Sequence, residues 1–305
     1  MDKDFFDYDE QVLHLMKKGL TIESEDEIKH YLIKYGYFNL ISGYKKPFKN
    51  SEGNYKPGTK IEDIFFLYDF DRELRHIFLK YIFLIEQNAK SIISYAFCYR
   101  FGASQNAYLN VNNYDYSNTK KRKDIHKFVC HVEKQINSKQ YEYMNHQRNE
   151  HGNIPLWVYF KTITLGELSK FYTNQLDSTK SEICHVYPNF REDELETAFD
   201  IVTRYRNICA HNERLFDYVY KKRTMYQTTY HDFFAMNASE KNTNIFDLLV
   251  CMKLFLEKDD FSKLVSEIST TIENLFIRTN QVQRLQLYKL MGFPENWKDI
   301  CDLTG

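Results

Sequence analysis

Glycine and proline are scarce in this chain, whose 305 residues contain 10 glycines and 5 prolines. That is less than about half of their usual combined share. A β-sandwich or β-propeller needs many tight turns, and these residues supply most of them. The shortage excludes a many-turned β architecture, and no stretch shows convincing strand alternation. The sequence therefore predicts an all-α fold.

Paired cysteines, a long apolar run and an excess of one charge are also missing. The 6 cysteines are widely separated and form no C-x-x-C pair, which favours reduced thiols in a cytoplasmic protein. Residues 1–7 are acidic, unlike a signal peptide, and the most apolar run, 77–85, is about half the length of a membrane span. With a net charge of -1, any nucleic-acid binding must come from local patches. We expect no membrane segment.

Helical patterns follow one another along the chain. The longest covers residues 59–101, where no glycine or proline occurs before Gly102 and apolar residues recur at helical spacing. We expect it to be the central helix of a bundle, opened by a capping box of Thr59 and Glu62. Ion pairs four residues apart are predicted along it, Asp71 with Arg75 and Glu86 with Lys90. Further helices are predicted at 9–18, 24–36, 119–140, 156–176, 192–218, 244–257, 260–278 and 282–291.

The turn-rich stretch from 44 to 59 is the clearest candidate linker, because it contains Pro47, Gly53, Pro57 and Gly58 and directly follows Gly43. It divides an N-terminal helical segment with a basic and aromatic loop, residues 1–58, from a helical core, residues 59–225. The remaining residues, 226–305, are predicted to form a C-terminal helical extension.

The 192–218 helix concentrates polar side chains near its end, at Arg206, Asn207, His211 and Arg214. An Arg-x4-His pair is expected by chance in a chain of this composition, so the neighbours matter. On a helix, Asn207, His211 and Arg214 share one stripe, and the long Arg206 side chain can reach toward it. Histidine transfers protons near neutral pH and arginine binds phosphate oxygens. This group therefore suits cleavage of an RNA phosphodiester, without a metal if the 2′-OH is the nucleophile.

Five sequence blocks occur in order: 32–44 (LIKYGYFNLISGY) with 47–48, 67–75 (LYDFDRELR), 85–86, 155–157 with 165–169, and 206–216 (RNICAHNERLF). Together they resemble the abortive-infection (Abi-like) family of bacterial proteins, the AbiD/AbiF group. The resemblance covers most of residues 10–220. It implies an all-α, HEPN-like helical bundle with a long central helix and helical extensions at both ends.

The resemblance also implies a function. It indicates a metal-independent HEPN ribonuclease, without a cofactor, acting in anti-phage defence or in a toxin–antitoxin arrangement. Arg206 and His211 would be catalytic, with Asn207 as the polar residue that follows the arginine. A homodimer with a composite active site and a bound small noncoding RNA are further expectations. Two alternatives stay open, a protein of the same fold that holds RNA without cutting it, and a helical adaptor that binds no RNA.

Several basic clusters are candidate RNA contacts, although a charge run is more often a solvated face. The candidate side chains are Tyr44, Lys45, Lys46, Lys120, Lys121, Arg122, Arg214, Lys221, Lys222 and Arg223. His126, Cys130 and His131 have spacing that could serve zinc, but no second ligand pair accompanies them. No metal site is predicted.

Overall fold

The structure, a computed structural model, describes residues 4–138, 140–238 and 242–303. Within these ranges there is no β-strand, only isolated bridges between Lys49 and Tyr55 and between Tyr220 and Thr243, so the all-α prediction is confirmed. No helix of the described ranges combines the length and apolar character needed to cross a membrane. The helices are α1 Tyr8–Lys17, α2 Glu25–Tyr35, α3 Ile61–Phe101, α4 Gln105–Leu109, α5 Arg122–Ile136, α6 Glu142–His151, α7 Leu156–Tyr159, α8 Leu165–Thr173, α9 Asp177–Val186, α10 Glu192–Ala210, α11 Thr229–Phe233, α12 Ile245–Phe255, α13 Lys258–Arg278 and α14 Arg284–Met291, with a π-helix at Phe38–Ser42 and 3-10 turns at Lys46–Phe48, Val111–Asn113 and Trp297–Cys301.

The predicted central helix is present as α3, which has 41 residues and is about 60 Å long. It ends at Gly102, whose φ of 85° favours glycine. Its start is one residue later than predicted, because the Asp63 carboxylate accepts the backbone N–H of Lys60 at 2.8 Å. Both predicted ion pairs along the helix form, at 2.5 Å and 2.7 Å.

Helices from both halves of the chain pack on α3. They include α7 to α10 from the middle of the sequence and α13 from its end, while α12 packs against α10. One hydrophobic cluster of buried side chains extends from Val12 to Ile300. The C-terminal helices thus share the core with α3, and the boundaries near residues 58 and 225 stay predictions.

The stretch predicted as a linker, residues 44–59, is packed into the core. Phe48 and Tyr55 are buried there, at 0% and 5% exposure. The Lys49–Tyr55 bridge closes the loop, and the Lys56 ammonium donates to the Pro47 carbonyl at 2.7 Å. Turn residues shape this segment, but its aromatic side chains bind it to the bundle, so the linker interpretation was wrong.

Helix α10 ends at Ala210, whereas the sequence predicted a helix to about residue 218. His211 is its C-cap, and Asn212 takes a left-handed conformation with φ of 55°, which asparagine tolerates better than most residues. The N–H of Glu213 then bonds back to the Ile208 carbonyl at 3.0 Å. The chain leaves the helix here because its next backbone donors bind a carboxylate on α3.

Candidate active site

A buried carboxylate on α3 holds the segment that follows α10. Asp71 is fully buried and accepts hydrogen bonds from the Tyr44 hydroxyl at 2.6 Å and from Arg75 Nη1 at 2.5 Å. It also accepts the backbone N–H groups of Leu215, at 3.1 Å, and Phe216, at 2.7 Å. Burial raises the pKa of the Asp71 carboxyl, and the charge of Arg75 opposes that shift. Residues 211–216 are therefore fixed beside α3 and Tyr44.

A cleft of about 1010 Å³ lies beside this cluster, between residues 38–44, α3 and residues 211–221. Two acidic side chains line it, Glu213 and Asp217, and Asp217 accepts a hydrogen bond from Arg214 Nε at 2.6 Å. Basic side chains outnumber these two acids in the described lining, although Arg72, Arg75 and Arg214 are each ion-paired with a carboxylate. The basic lining residues are Arg72, Arg75, His76, His211, Arg214 and Lys221.

His211 is exposed in this cleft. Its backbone N–H caps α10 through the Asn207 carbonyl at 3.0 Å, and its imidazole has no hydrogen-bond partner among the described residues. An imidazole in this state is free to exchange a proton with a bound molecule. The structure brings four of the predicted site residues to one cleft, Tyr44, His211, Arg214 and Lys221.

Arg206 and Asn207 do not join them. Both lie in the last turn of α10 and neither lines the cleft. Arg206 Nη1 is 3.4 Å from the Asn207 side-chain oxygen, and its Nε is buried without a hydrogen-bond partner. The helix-face argument placed Asn207, His211 and Arg214 on one stripe, but His211 caps the helix and Arg214 lies beyond it. Within one chain the predicted catalytic arginine and histidine are therefore not in the same hollow.

The predicted basic and aromatic loop divides between two environments. Tyr44 is 3% exposed, and its hydroxyl donates to Asp71. It serves the buried cluster and also lines the cleft, and its contact with RNA stays a prediction. Lys46 is exposed to solvent, and Lys45 lines a separate pocket with Lys49.

Only part of the basic cluster at residues 221–223 is available to a ligand. Lys221 lines the cleft and Lys222 is exposed. Arg223 Nε instead donates to the Asp200 carboxylate at 2.9 Å. Arg214 also has protein partners, because it donates to Asp217 and to the Gly43 carbonyl.

The cluster before α5 lies outside the cleft. Lys120 is exposed, but Lys121 pairs with Asp115 at 2.9 Å and Arg122 Nε donates to the Tyr116 carbonyl at 2.9 Å. These contacts fasten the loop before α5 to its surroundings. They give two of the three basic residues a local structural role.

Three cleft residues were missed at the sequence level. Phe38 is 79% exposed on the π-helix, and Arg72 and His76 come from α3. Residues 72, 75 and 76 have the i, i+3, i+4 spacing of one helix face, which was the available signal. No such signal marks Phe38 in the sequence, because an apolar residue within an apolar block is expected to be buried.

No group of three or more His, Cys, Asp or Glu side chains in the described ranges is placed to hold a metal ion. Two of the three candidate zinc residues, the histidines, have other partners. His126 Nε2 lies 2.7 Å from the Tyr116 hydroxyl, and His131 Nε2 lies 2.7 Å from the Glu167 carboxylate. Cys209, next to the cleft segment, is buried, which raises the pKa of its thiol to about 12.

Comparison with known proteins identifies the family. The profile of the family described as Abi-like protein matches residues 30–217, a region that includes α3, the Asp71 cluster and most of the cleft. Searches of curated proteins and of solved structures returned no match. The resemblance seen in the sequence blocks is confirmed at this level: the chain belongs to the Abi-like protein family.

Proposed function

We propose that the protein is a HEPN-type endoribonuclease, of the AbiD/AbiF group, that acts without a metal in bacterial abortive infection or toxin–antitoxin defence. The observation that carries the proposal is the position of His211, an exposed imidazole without a hydrogen-bond partner among the described residues, in a cleft lined by guanidinium and ammonium groups. Family membership supports the defence role. The substrate is single-stranded or loop RNA in the cytoplasm.

The reaction needs one proton acceptor, one proton donor and a cation. An imidazole removes the proton of a ribose 2′-OH, the 2′-oxygen forms a bond to phosphorus, and the bond from phosphorus to the 5′-oxygen breaks. The leaving oxygen receives a proton, so the products are a 2′,3′-cyclic phosphate and a 5′-hydroxyl. Arginine stabilises the charge that develops on the phosphoryl oxygens. His211 is the proposed proton-transfer group, and His76 supplies a second imidazole in the same cleft.

Arg206 and Asn207 enter the proposal through a homodimer. They lie outside the cleft of their own chain, and Arg206 Nε lacks a hydrogen-bond partner among the described residues. We assign Arg206 to stabilising the charge on the phosphoryl group and Asn207 to orienting that group. Both would act in a composite site that a second copy of the chain completes. Two copies of one surface can face each other across a two-fold axis.

RNA contacts are assigned to exposed side chains around the cleft. Phe38 presents its ring for stacking on a base, and Arg72, Arg214 and Lys221 are assigned to phosphates. Lys46 and Lys222 extend this basic surface. A small noncoding RNA is the proposed cognate partner.

Incubation of the purified protein with RNA in EDTA tests the proposal. We expect cleavage by the wild type and none by His211→Ala, with RNA affinity and melting temperature retained. His30→Ala is the matched control, because His30 is an exposed histidine outside the cleft. Equal cleavage by His211→Ala would refute the assigned role. An uncut RNA that stays bound and protected would instead support the alternative, a protein that only holds RNA.

A further inference from the structure

A second, smaller pocket lies between the last turn of α1 and the loop that follows the π-helix. Its volume is about 260 Å³. The walls carry four basic side chains and two tyrosines, namely His14, Lys18, Lys45, Lys49, Tyr37 and Tyr55. We call it the basic pocket.

No acidic side chain of the described residues lines the basic pocket. The side-chain nitrogens of His14, Lys18 and Lys45 have no hydrogen-bond or ion-pair partner in the described part of the chain. Lys49 is the exception, since its ammonium donates to the Gly53 carbonyl at 2.6 Å and lies 4.1 Å from the centre of the Tyr55 ring. Two ammonium groups and one imidazole thus have free nitrogens around one small cavity.

The cations in the basic pocket repel one another. Burial lowers the pKa of His14, and the charges of Lys18, Lys45 and Lys49 lower it further. The pKa of Lys49 is likewise lowered by burial and by Lys45 and Lys18. Like charges gathered without a counter-charge are unfavourable for the folded protein. A bound anion would remove that cost.

A helix dipole explains only part of this arrangement. His14 and Lys18 lie at the C-terminal end of α1, where positive charges are favourable. Lys45 and Lys49 belong to a different segment of the chain, so the dipole of α1 does not explain why they lie at this pocket. A backbone bond from Tyr55 N–H to the Lys18 carbonyl at 2.8 Å joins the two walls, so the pocket is built before any ligand arrives.

We propose that the basic pocket binds a terminal phosphate, the dianionic group of a phosphate monoester. Its volume is below the roughly 300–1,000 Å³ of pockets for whole drug-sized ligands, so it suits the end of a molecule. A phosphate monoester carries a charge of about -1.5 to -2 at neutral pH, which matches several cations better than the single charge of a phosphodiester. Tyr37 and Tyr55 offer apolar surface to the group attached to the phosphate.

The basic pocket is distinct from the cleft, because the two share no lining residue in the described part of the chain. Phosphate binding in the basic pocket does not depend on whether the protein cleaves RNA. Two kinds of molecule carry a terminal phosphate monoester, a free nucleotide and the 5′ end of an RNA.

Calorimetric titration distinguishes the sources. The probes are AMP and two short RNAs of the same sequence with full 2′-O-methyl substitution, one with a 5′-phosphate and one with a 5′-hydroxyl. Methylation prevents cleavage by 2′-OH attack, so a failed nuclease proposal does not affect the result. We expect AMP, the 5′-phosphate or both to add binding; AMP alone identifies a nucleotide site, and a gain from the 5′-phosphate identifies an RNA-end site.

The variant Lys18→Glu with Lys45→Glu should weaken this binding by about tenfold or more, since two attractive charges become repulsive. The matched control is Lys34→Glu with Lys289→Glu, exposed lysines outside the pocket that give the same change in net charge. Lys18→Gln alone provides a milder test if the double variant does not fold. Absence of binding by AMP and of any gain from the 5′-phosphate would overturn the proposal, as would equal losses in the double variant and its control.

Discussion

Asp71 accepts the backbone N–H of Phe216 at 2.7 Å across a separation of 145 residues. This bond joins the central helix to the segment that leaves α10 at His211. Because the carboxylate also accepts the Tyr44 hydroxyl, three parts of the chain meet at one buried group. The position of His211 therefore depends on a residue that does not line the cleft.

Asp71→Asn should destabilise the fold strongly. The amide removes the charge that partners buried Arg75 and places N–H groups among donors. Breaking a buried ion pair costs about 3–5 kcal/mol, and denaturant unfolding would measure it. Glu73→Gln on the same helix is the control, because its carboxylate pairs with Arg72 at the surface and should cost about 1 kcal/mol or less. Similar losses in the two variants would contradict the role of the buried cluster.

Phe38→Ala should weaken RNA binding without lowering stability. The ring is 79% exposed, so its removal leaves no cavity. Loss of one stacked base costs about 1–3 kcal/mol of binding free energy, which fluorescence anisotropy with a labelled RNA would detect. Phe5→Ala, at 88% exposure, should bind RNA as the wild type does. An unchanged affinity in Phe38→Ala would remove the ring from the interface.

Mixing two inactive variants tests the composite site. If Arg206 of one copy serves the cleft of the other, each mixed dimer of Arg206→Ala and His211→Ala contains one complete site. Random pairing should then restore about a quarter of wild-type cleavage. If both residues act within one chain, no mixed dimer has a complete site, and the mixture should stay inactive.

How far the sequence predicted this architecture depends on the range of the interactions. The α3 helix follows from local facts, since no glycine or proline interrupts residues 61–101. The end of α10 does not, because it depends on Asp71, far away in the chain. The same dependence on contacts between distant parts of the chain explains why the sequence did not predict the separation of His211 from Arg206 or the exposure of Phe38. The polar residues near 206–214 and the resemblance to the family both pointed to His211, and only the fold placed His76 and Arg72 in the same cleft.

The basic pocket should bind sulfate more tightly as the pH falls. Burial and nearby lysines lower the pKa of His14 in the free protein, and a bound anion offsets the lysine charges, so the pKa of His14 rises on binding. Binding then takes up a proton in the pH interval between the lowered pKa of His14 in the free protein and its higher pKa in the complex, while sulfate keeps its charge. The groups that face His14 are the ring of Phe6 and the side chains of Lys17, Lys18, Lys45 and Lys49.

Calorimetry at a series of pH values from about 5 to 8 would measure the effect, because the pKa of His14 lies below its ordinary value in the free protein. His14→Gln should bind sulfate with little dependence on pH in that interval. A wild-type affinity that falls with decreasing pH would contradict the assignment of His14 to the pocket.

The most direct test of the central claim is the chemistry of the ends produced from an RNA with one 2′-deoxy nucleotide at the cleavage position, compared with its all-ribose parent, in EDTA. Mass spectrometry should show a 2′,3′-cyclic phosphate and a 5′-hydroxyl from the parent, no product from the substituted RNA, and no product from either with His211→Ala. Cleavage of the 2′-deoxy RNA at the same position, or undiminished cleavage by His211→Ala, would contradict the account.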